Sequence, residues 1–158
     1  VQCGLIASQV DEAKRVLRTQ MRSVRRDLLD RPERSARMWK TLTQRPDVLT
    51  ASKIMVFDSL ASEPDMAPLM AWCEVMGKQM CLPEDADLDP TWADVIVIPG
   101  LAFTVDGKRC GQGGGWYDRF LPGVPPDAVL IGVCFAPQIV VDLPTDEHDV
   151  VLHAIVTD

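Results

Sequence analysis

Four short runs of β-forming apolar residues most constrain what this chain can fold into: "KIMVFDS" (53–59), "KQMCL" (78–82), "DVIVIPG" (94–100) and "AVLIGVCF" (128–135). "VLHAIVT" (151–157) supplies a fifth, terminal strand. The runs are nearly continuous rather than alternating, which is the pattern of strands covered on both faces. Helical patterns lie between and before them. Residues 9–29 carry Val10, Leu17, Met21, Val24 and Leu28 at spacings of seven, four, three and four, one narrow stripe at 100° per residue. Asp11 and Glu12 suit that helix's first turn. A second helix is expected over 33–45, stopped at Pro46, and a third over 65–76, stopped at Gly77. Strand, helix, strand recurs. The expectation is an α/β fold, a three-layer α/β/α arrangement around a mainly parallel sheet.

One joint resists this scheme. Only "PEDADLDPTWA" (83–93) links the second run to the third, and a parallel crossover ordinarily needs a dozen or more residues with a helix. Either those two strands are not simple neighbours, or this segment is shortened.

The 158 residues suggest a single domain over 1–158, with residues 1–8 expected to be disordered or foreign to the natural chain. A net charge of −7 argues against a nucleic-acid or membrane-surface partner, though a local basic cluster would still admit an anionic ligand. The five cysteines (Cys3, Cys73, Cys81, Cys110 and Cys134) show no CxxC spacing. They read as reduced, mostly buried thiols of a cytoplasmic protein. No run reaches the roughly 18 apolar residues of a membrane span, and the start lacks the features of a signal peptide.

"CGQGGGWYDRF" (110–120) crowds four glycines ahead of a short helix and follows the strand ending in Pro99-Gly100. Ligands of open α/β sheets bind beyond the carboxyl ends of the strands. Glycines there let backbone N–H groups reach phosphate oxygens at a helix N-terminus. We therefore expect a phosphate-binding glycine loop after a central strand. It fits neither common phosphate-loop pattern, and on composition alone a merely flexible loop is the competing reading.

The whole block "DVIVIPGLAFTVDGKRCGQGGGWYDRFLP" (94–122) closely resembles the signature of the 5-formyltetrahydrofolate cyclo-ligase (methenyltetrahydrofolate synthetase) family. "AKRVLRTQMRSVR", "VFDSLASEPDMAPLM" and "HDVVLHAIVTD" are similar to its first helix, its glutamate-bearing strand and helix, and its last strand. The resemblance implies ATP- and Mg²⁺-dependent conversion of 5-formyltetrahydrofolate to 5,10-methenyltetrahydrofolate. The formyl oxygen is phosphorylated, the neighbouring nitrogen closes the ring, and ADP and phosphate are released. It also implies two alternatives: a ligase for another folate or formamide, or a nucleotide-binding module without ring closure. Its partners would be small molecules, ATP and a reduced folate, on a monomer.

Residue by residue, the resemblance assigns ATP binding to Lys14, Arg18, Arg109, Gly111, Gln112, Gly113, Gly114, Gly115, Trp116 and Tyr117. It assigns substrate binding to Asp58, Glu63, Phe103, Gly114 and Trp116, catalysis to Arg109, Tyr117 and Asp118, and Mg²⁺ to Asp118. Lys14 and Arg18, at i and i+4, share a helix face. Read from periodicity alone they are solvated charges, as Arg15, Arg22, Arg25 and Arg26 are expected to be. Core packing competes for Phe103, Trp116 and Tyr117, and a first-turn helix acid for Asp118. The final strand carries His153 where the family's magnesium-assisting acid is expected. Asp146 or Asp149 would have to substitute, and the competing reading of His153 is a strand residue with no role.

Overall fold

The computed structural model describes residues 6–85 and 87–158. Five helices, α1 (Ala7–Arg26), α2 (Arg31–Thr43), α3 (Pro46–Thr50), α4 (Ala67–Val75) and α5 (Trp116–Phe120), accompany seven strands. These are β1 (Lys53–Met55), β2 (Gln79–Cys81), β3 (Val95–Ile98), β4 (Ala102–Phe103), β5 (Arg109–Cys110), β6 (Val129–Val133) and β7 (Ala154–Val156). The five expected strands form one sheet in the order β2-β1-β3-β6-β7, and every pairing is parallel.

Successive side chains of a strand point to opposite faces, and the burial follows that period. Ile54, Val56, Val95, Val97, Ile131 and Val133 meet Met38, Trp39 and Leu42 of α2, Val48 of α3, and Leu69 and Cys73 of α4. Met55, Ile96, Ile98 and Leu130 face the other way, onto Phe103, Leu121, Leu152 and the aromatics of α5. The helical layer is full on the first face and thin on the second, where α5 shares the covering with loops. The α1 stripe takes a different place. Leu17, Met21 and Val24 pack on Leu101, Ala102, Cys110 and Leu143, so α1 lies over the β4–β5 hairpin at the carboxyl end of the sheet. A fully buried side chain such as Met21 contributes about 1.5–3 kcal/mol there.

The awkward joint is resolved by topology. β2 and β3 are not neighbours: each pairs with β1, on opposite sides. Among the described residues of 83–93 there is no helix as the chain crosses β1, and Leu88, Trp92 and Ala93 pack on the second core instead. The β4–β5 hairpin was not foreseen. Its turn contains Gly107 at φ 97°, and a Cβ there would meet Leu152 O at 2.2 Å, so no side chain fits. α1 ends at Arg26, before Leu28, because the chain must turn through Asp30 in the left-handed region (φ 56°) to start α2. Ala7 and Ser8 are already helical. Of the stretch expected to be disordered, residues 1–5, Cys3 among them, lie outside the described residues, and Ile6 is the N-cap of α1. Cys73, Cys110 and Cys134 are buried, and with half-buried Cys81 they are free thiols. Among the described residues no helix is long and apolar enough to cross a membrane.

Candidate functional site

Everything chemically distinctive gathers at the carboxyl end of β1 and β3. β1 stops its ladder at Met55, and the chain leaves the sheet carrying Phe57 and Asp58 to the rim. β3 delivers Pro99 and Gly100 to the same level. The glycine loop closes the site from above. Gly113 (φ 111°) and Gly115 (φ 71°) occupy conformations that L side chains rarely adopt, and Gly115 is the N-cap of α5. Among the described residues, no partner takes the backbone N–H of Gly113, Gly114 or Gly115. Such donors face water or an anion.

Helix α1 supplies the opposing charge. Lys14, Arg18, Arg22 and Arg25 follow each other at spacings of four, four and three, which sets them along one face beside the apolar stripe. Arg18 Nε donates to Gly111 O at 3.0 Å and an Arg22 Nη to Gln112 O at 2.9 Å, so two arginines stitch the helix to the loop. Arg109 comes from below. Its Nε donates to Pro99 O at 2.7 Å, its guanidinium lies 4.8 Å from the centre of the Tyr117 ring, and an Nη stands 3.7 Å from an Asp118 oxygen. Burial lowers the Arg109 pKa, against the nearby Asp118 carboxylate. Arginines thus surround the loop of a chain whose net charge is −7, with Arg119 donating to Gly114 O at 3.0 Å beside Arg18, Arg22 and Arg109.

Of the charges expected in solvent, Arg25 is buried and Arg22, though exposed, is engaged. Arg25 is 3% exposed and reaches Ser62 Oγ at 3.0 Å, Glu63 Oε1 at 3.4 Å and Gly100 O at 3.4 Å. Arg22 is engaged as just described. Arg15 and Arg26 do remain exposed. The 4-4-3 spacing is the signal that separates the engaged basic residues from the idle ones. Gln138, also unforeseen, is fully buried and donates to the carbonyls of Gly100 and Leu101, at 3.0 Å each, fixing the chain after β3.

Two cavities meet here. The first, of about 220 Å³, is lined by residues 111–115, Arg18, Arg109 and Asp118. The second, of about 340 Å³, is lined by Phe57, Asp58, Leu60 and Glu84. Glu63, Pro99, Trp116 and Tyr117 belong to both walls, so the cavities are contiguous across them. Trp116 stacks on Phe120 at 4.7 Å and meets Tyr117 edge-on at 4.8 Å. The Tyr117 hydroxyl is buried with no hydrogen-bond partner, and burial raises its pKa, so it stays protonated.

Three residues sit elsewhere. Phe103 is fully buried, lies under Gly100 and Gly132, and lines neither cavity, because β4 turns its side chain into the second core. Lys14 does not line the first cavity either. Its Nζ lies 2.7 Å from Asp149 Oδ2 and 3.2 Å from Asp146 Oδ2. Burial pulls its pKa down, but the two carboxylates outweigh that and leave it raised. His153 stands beside the start of β6, where its Nδ1 accepts from the Leu130 N–H at 2.8 Å and its own N–H donates to Leu130 O at 2.9 Å. That is the amino end of the sheet, opposite the cavities, so His153 takes no part in a metal site.

Residues 85–158 match the model of the 5-formyltetrahydrofolate cyclo-ligase family. The mitochondrial 5-formyltetrahydrofolate cyclo-ligase of Arabidopsis thaliana is 36% identical over 74 residues, covering 40% of this chain and 27% of that protein. The Escherichia coli K12 enzyme of the same name is 40% identical over 65 residues, covering 40% and 36%. The match thus spans about a third of these relatives' length. Along most of the chain the fold is that of two solved 5,10-methenyltetrahydrofolate synthetases. The one from Mycoplasma pneumoniae has a TM-score of 0.82 at 21% identity, covering 92% of this chain and 98% of its own. The one from Aquifex aeolicus scores 0.78 at 24% identity, covering 90% and 88%. Through residues 85–158 the chain is similar to the 5-formyltetrahydrofolate cyclo-ligase family.

Proposed function

We propose that the protein is an ATP-dependent ligase that converts 5-formyltetrahydrofolate to 5,10-methenyltetrahydrofolate with release of ADP and phosphate. The observation that carries this is the joining of two unlike cavities. One has unpaired glycine N–H groups and guanidinium groups, as a triphosphate requires. The other has Asp58, Glu63 and an aromatic wall, as a flat heterocycle with N–H donors requires. They meet at Trp116 and Tyr117, where a formyl oxygen and a terminal phosphate would be brought together.

A formamide carbonyl is a poor electrophile. In the proposed reaction its oxygen attacks the γ-phosphorus and the bond to the bridging oxygen breaks, so ADP departs. The neighbouring amine nitrogen then attacks the activated carbon, loses its proton, and phosphate leaves as the ring closes. The protein's contribution is alignment and charge. Arg18 and Arg109 neutralise phosphate oxygens, and the glycine N–H groups fix their direction. Trp116 and Tyr117 form the aromatic boundary, and the protonated Tyr117 hydroxyl can donate a hydrogen bond there. Glu63 and Asp58 receive the heterocycle's donors. Asp118 is half exposed with one oxygen 3.7 Å from Arg109 Nη1, while Asp146 and Asp149 are held by Lys14. A single free carboxylate suits Mg²⁺, which keeps waters and takes its other ligands from phosphates. Asp118 would hold that ion, whose charge would offset that of the polyphosphate. The free thiols of the four described cysteines support a reducing compartment, in our reading the cytoplasm, and we take the protein to act as a monomer on small molecules.

The test is incubation with ATP, Mg²⁺ and 5-formyltetrahydrofolate while the methenyl chromophore and ADP are followed. Equimolar appearance of both is expected. ATP binding with neither product would make the protein a nucleotide-binding module. ADP release with no methenyl product, restored by another formylated amine, would make it a ligase of different substrate.

A further inference from the structure

Both oxygens of Glu63 are engaged by the protein itself. Oε2 accepts from the Leu60 N–H at 2.9 Å, and Oε1 faces Arg25 Nη1 at 3.4 Å. The Arg25 and Glu63 side chains are 4% and 5% exposed, so this is a buried ion pair inside the site. Arg25 is also the point where four segments meet. It rises from α1, donates to Ser62 in the loop after β1, and reaches Gly100 O after β3. With its oxygen turned to Arg25, the Gln112 amide of the glycine loop accepts from Nη2 at 3.0 Å. The contact to Glu63 Oε1 is long, whereas those at Ser62 and Gln112 are short. The guanidinium therefore holds the Ser62 and Gln112 side chains closely and leaves Oε1 as a charge-balanced acceptor with room for a closer donor.

We infer that Arg25 is a positioning residue that sets Glu63, and couples the glycine loop to it, so that the heterocycle end of the folate is received only when the loop is in place. The inference rests on the reading that Glu63 contacts the folate. Arg25 itself lines neither cavity. An arginine is needed because three separated acceptors and one carboxylate must be met by one fork, which a lysine ammonium does not span. Without the guanidinium Glu63 would be a buried charge with no counter-ion.

The experiment measures two affinities separately: that of a non-hydrolysable ATP analogue alone, and that of 5-formyltetrahydrofolate in its presence. Arg25→Met is expected to weaken folate binding about 10-fold or more and nucleotide binding by less than about 3-fold. Arg25→Lys, which keeps the charge and is the safer variant if Arg25→Met does not fold, is expected to recover part of the folate affinity. Combining Arg25→Lys with Glu63→Gln should add little to Glu63→Gln alone, the sign that Arg25 acts through Glu63. Wild-type folate affinity in Arg25→Lys, or full additivity with Glu63→Gln, overturns the inference and leaves the proposed function standing. Failure of the wild-type protein to bind the folate at all overturns both.

Discussion

Lys14 Nζ lies 2.7 Å from Asp149 Oδ2, joining α1 to a residue 135 positions away, and Asp146 completes the bridge at 3.2 Å. The same Asp149 oxygen accepts from the Asp146 N–H at 2.9 Å, so the two acids share one brace. The resemblance assigns Lys14 to the nucleotide, yet in this structure its ammonium is the counter-ion that keeps two carboxylates together. Lys14→Ala is therefore expected to cost stability as well as nucleotide affinity, roughly 1.5–3 kcal/mol for the lost charged hydrogen bonds. Thermal melting of Lys14→Ala beside the Lys14→Ala/Asp149→Asn pair checks this. The second change should restore part of the melting temperature by removing one orphaned charge. If Lys14→Ala melts like the wild type while losing ATP, the lysine's energy is spent on the ligand and the bridge is incidental.

Phe103 separates core from site. It is fully buried against Gly100 and Gly132. Phe103→Ala should destabilise the protein by about 3–5 kcal/mol, while folate affinity of the folded fraction stays close to wild type. Denaturant unfolding with a folate titration distinguishes the two. A large fall in affinity at unchanged stability would return Phe103 to the substrate wall.

How much of this was legible follows particular residues. The five parallel strands could be read because Val95–Ile98 and Val129–Val133 are apolar on both faces, which only a doubly covered sheet requires. The glycine loop could be read because no core needs Gly113, Gly114 and Gly115 in a row. Strand order could not, since residues 83–93 cross β1 with Leu88 and Trp92 as covering, and a crossover without a helix has no periodicity to see. The hairpin at Ala102–Phe103 and Arg109–Cys110 is too short for a strand pattern. Arg25 looked like any helix arginine. Its burial depends on Ser62, Glu63 and Gly100, partners 37 to 75 residues away. His153 was misplaced for a related reason: its position along the last strand does not say which end of the sheet it occupies.

Acid should unfold the protein through its carboxylates. The Asp146 pKa is lowered chiefly by the His148 N–H, with Lys14 assisting. Burial raises that of Asp158, but the Ala136 N–H and Arg34, at 2.6 Å, outweigh it and leave it lowered. A folded-state pKa below the unfolded value contributes stability that is present above the unfolded value and lost as pH falls from there through the folded value. The melting temperature should accordingly hold between about pH 5 and pH 8 and fall below about pH 4. Asp158→Asn should lower the plateau and flatten the acid limb. A main transition between about pH 6 and pH 7 would instead assign the loss to a histidine.

Asp118 stands at the third position of α5, half exposed, with an oxygen 3.7 Å from Arg109 Nη1. The resemblance reads it as the Mg²⁺ ligand; the local structure alone would read it as a first-turn acid and the partner of Arg109. Asp118→Asn tells these apart because Asn is nearly isosteric and keeps the helix start. As a partly solvated pair with Arg109, Asp118 is worth at most about 1 kcal/mol, so the melting temperature should shift little. As a ligand, its lost charge should weaken Mg²⁺ roughly 10- to 100-fold, visible as a raised magnesium requirement in a titration of turnover. Folate affinity should be unchanged, since Glu63 is held by Leu60 and Arg25 and not by Asp118. Arg109→Lys supplies the control: it disturbs the partner while leaving the carboxylate, so nucleotide affinity should fall without a matching change in the magnesium requirement. Normal turnover of Asp118→Asn at low magnesium would leave Asp118 as the counter-ion of Arg109 alone, and the polyphosphate as the metal's only charged ligand.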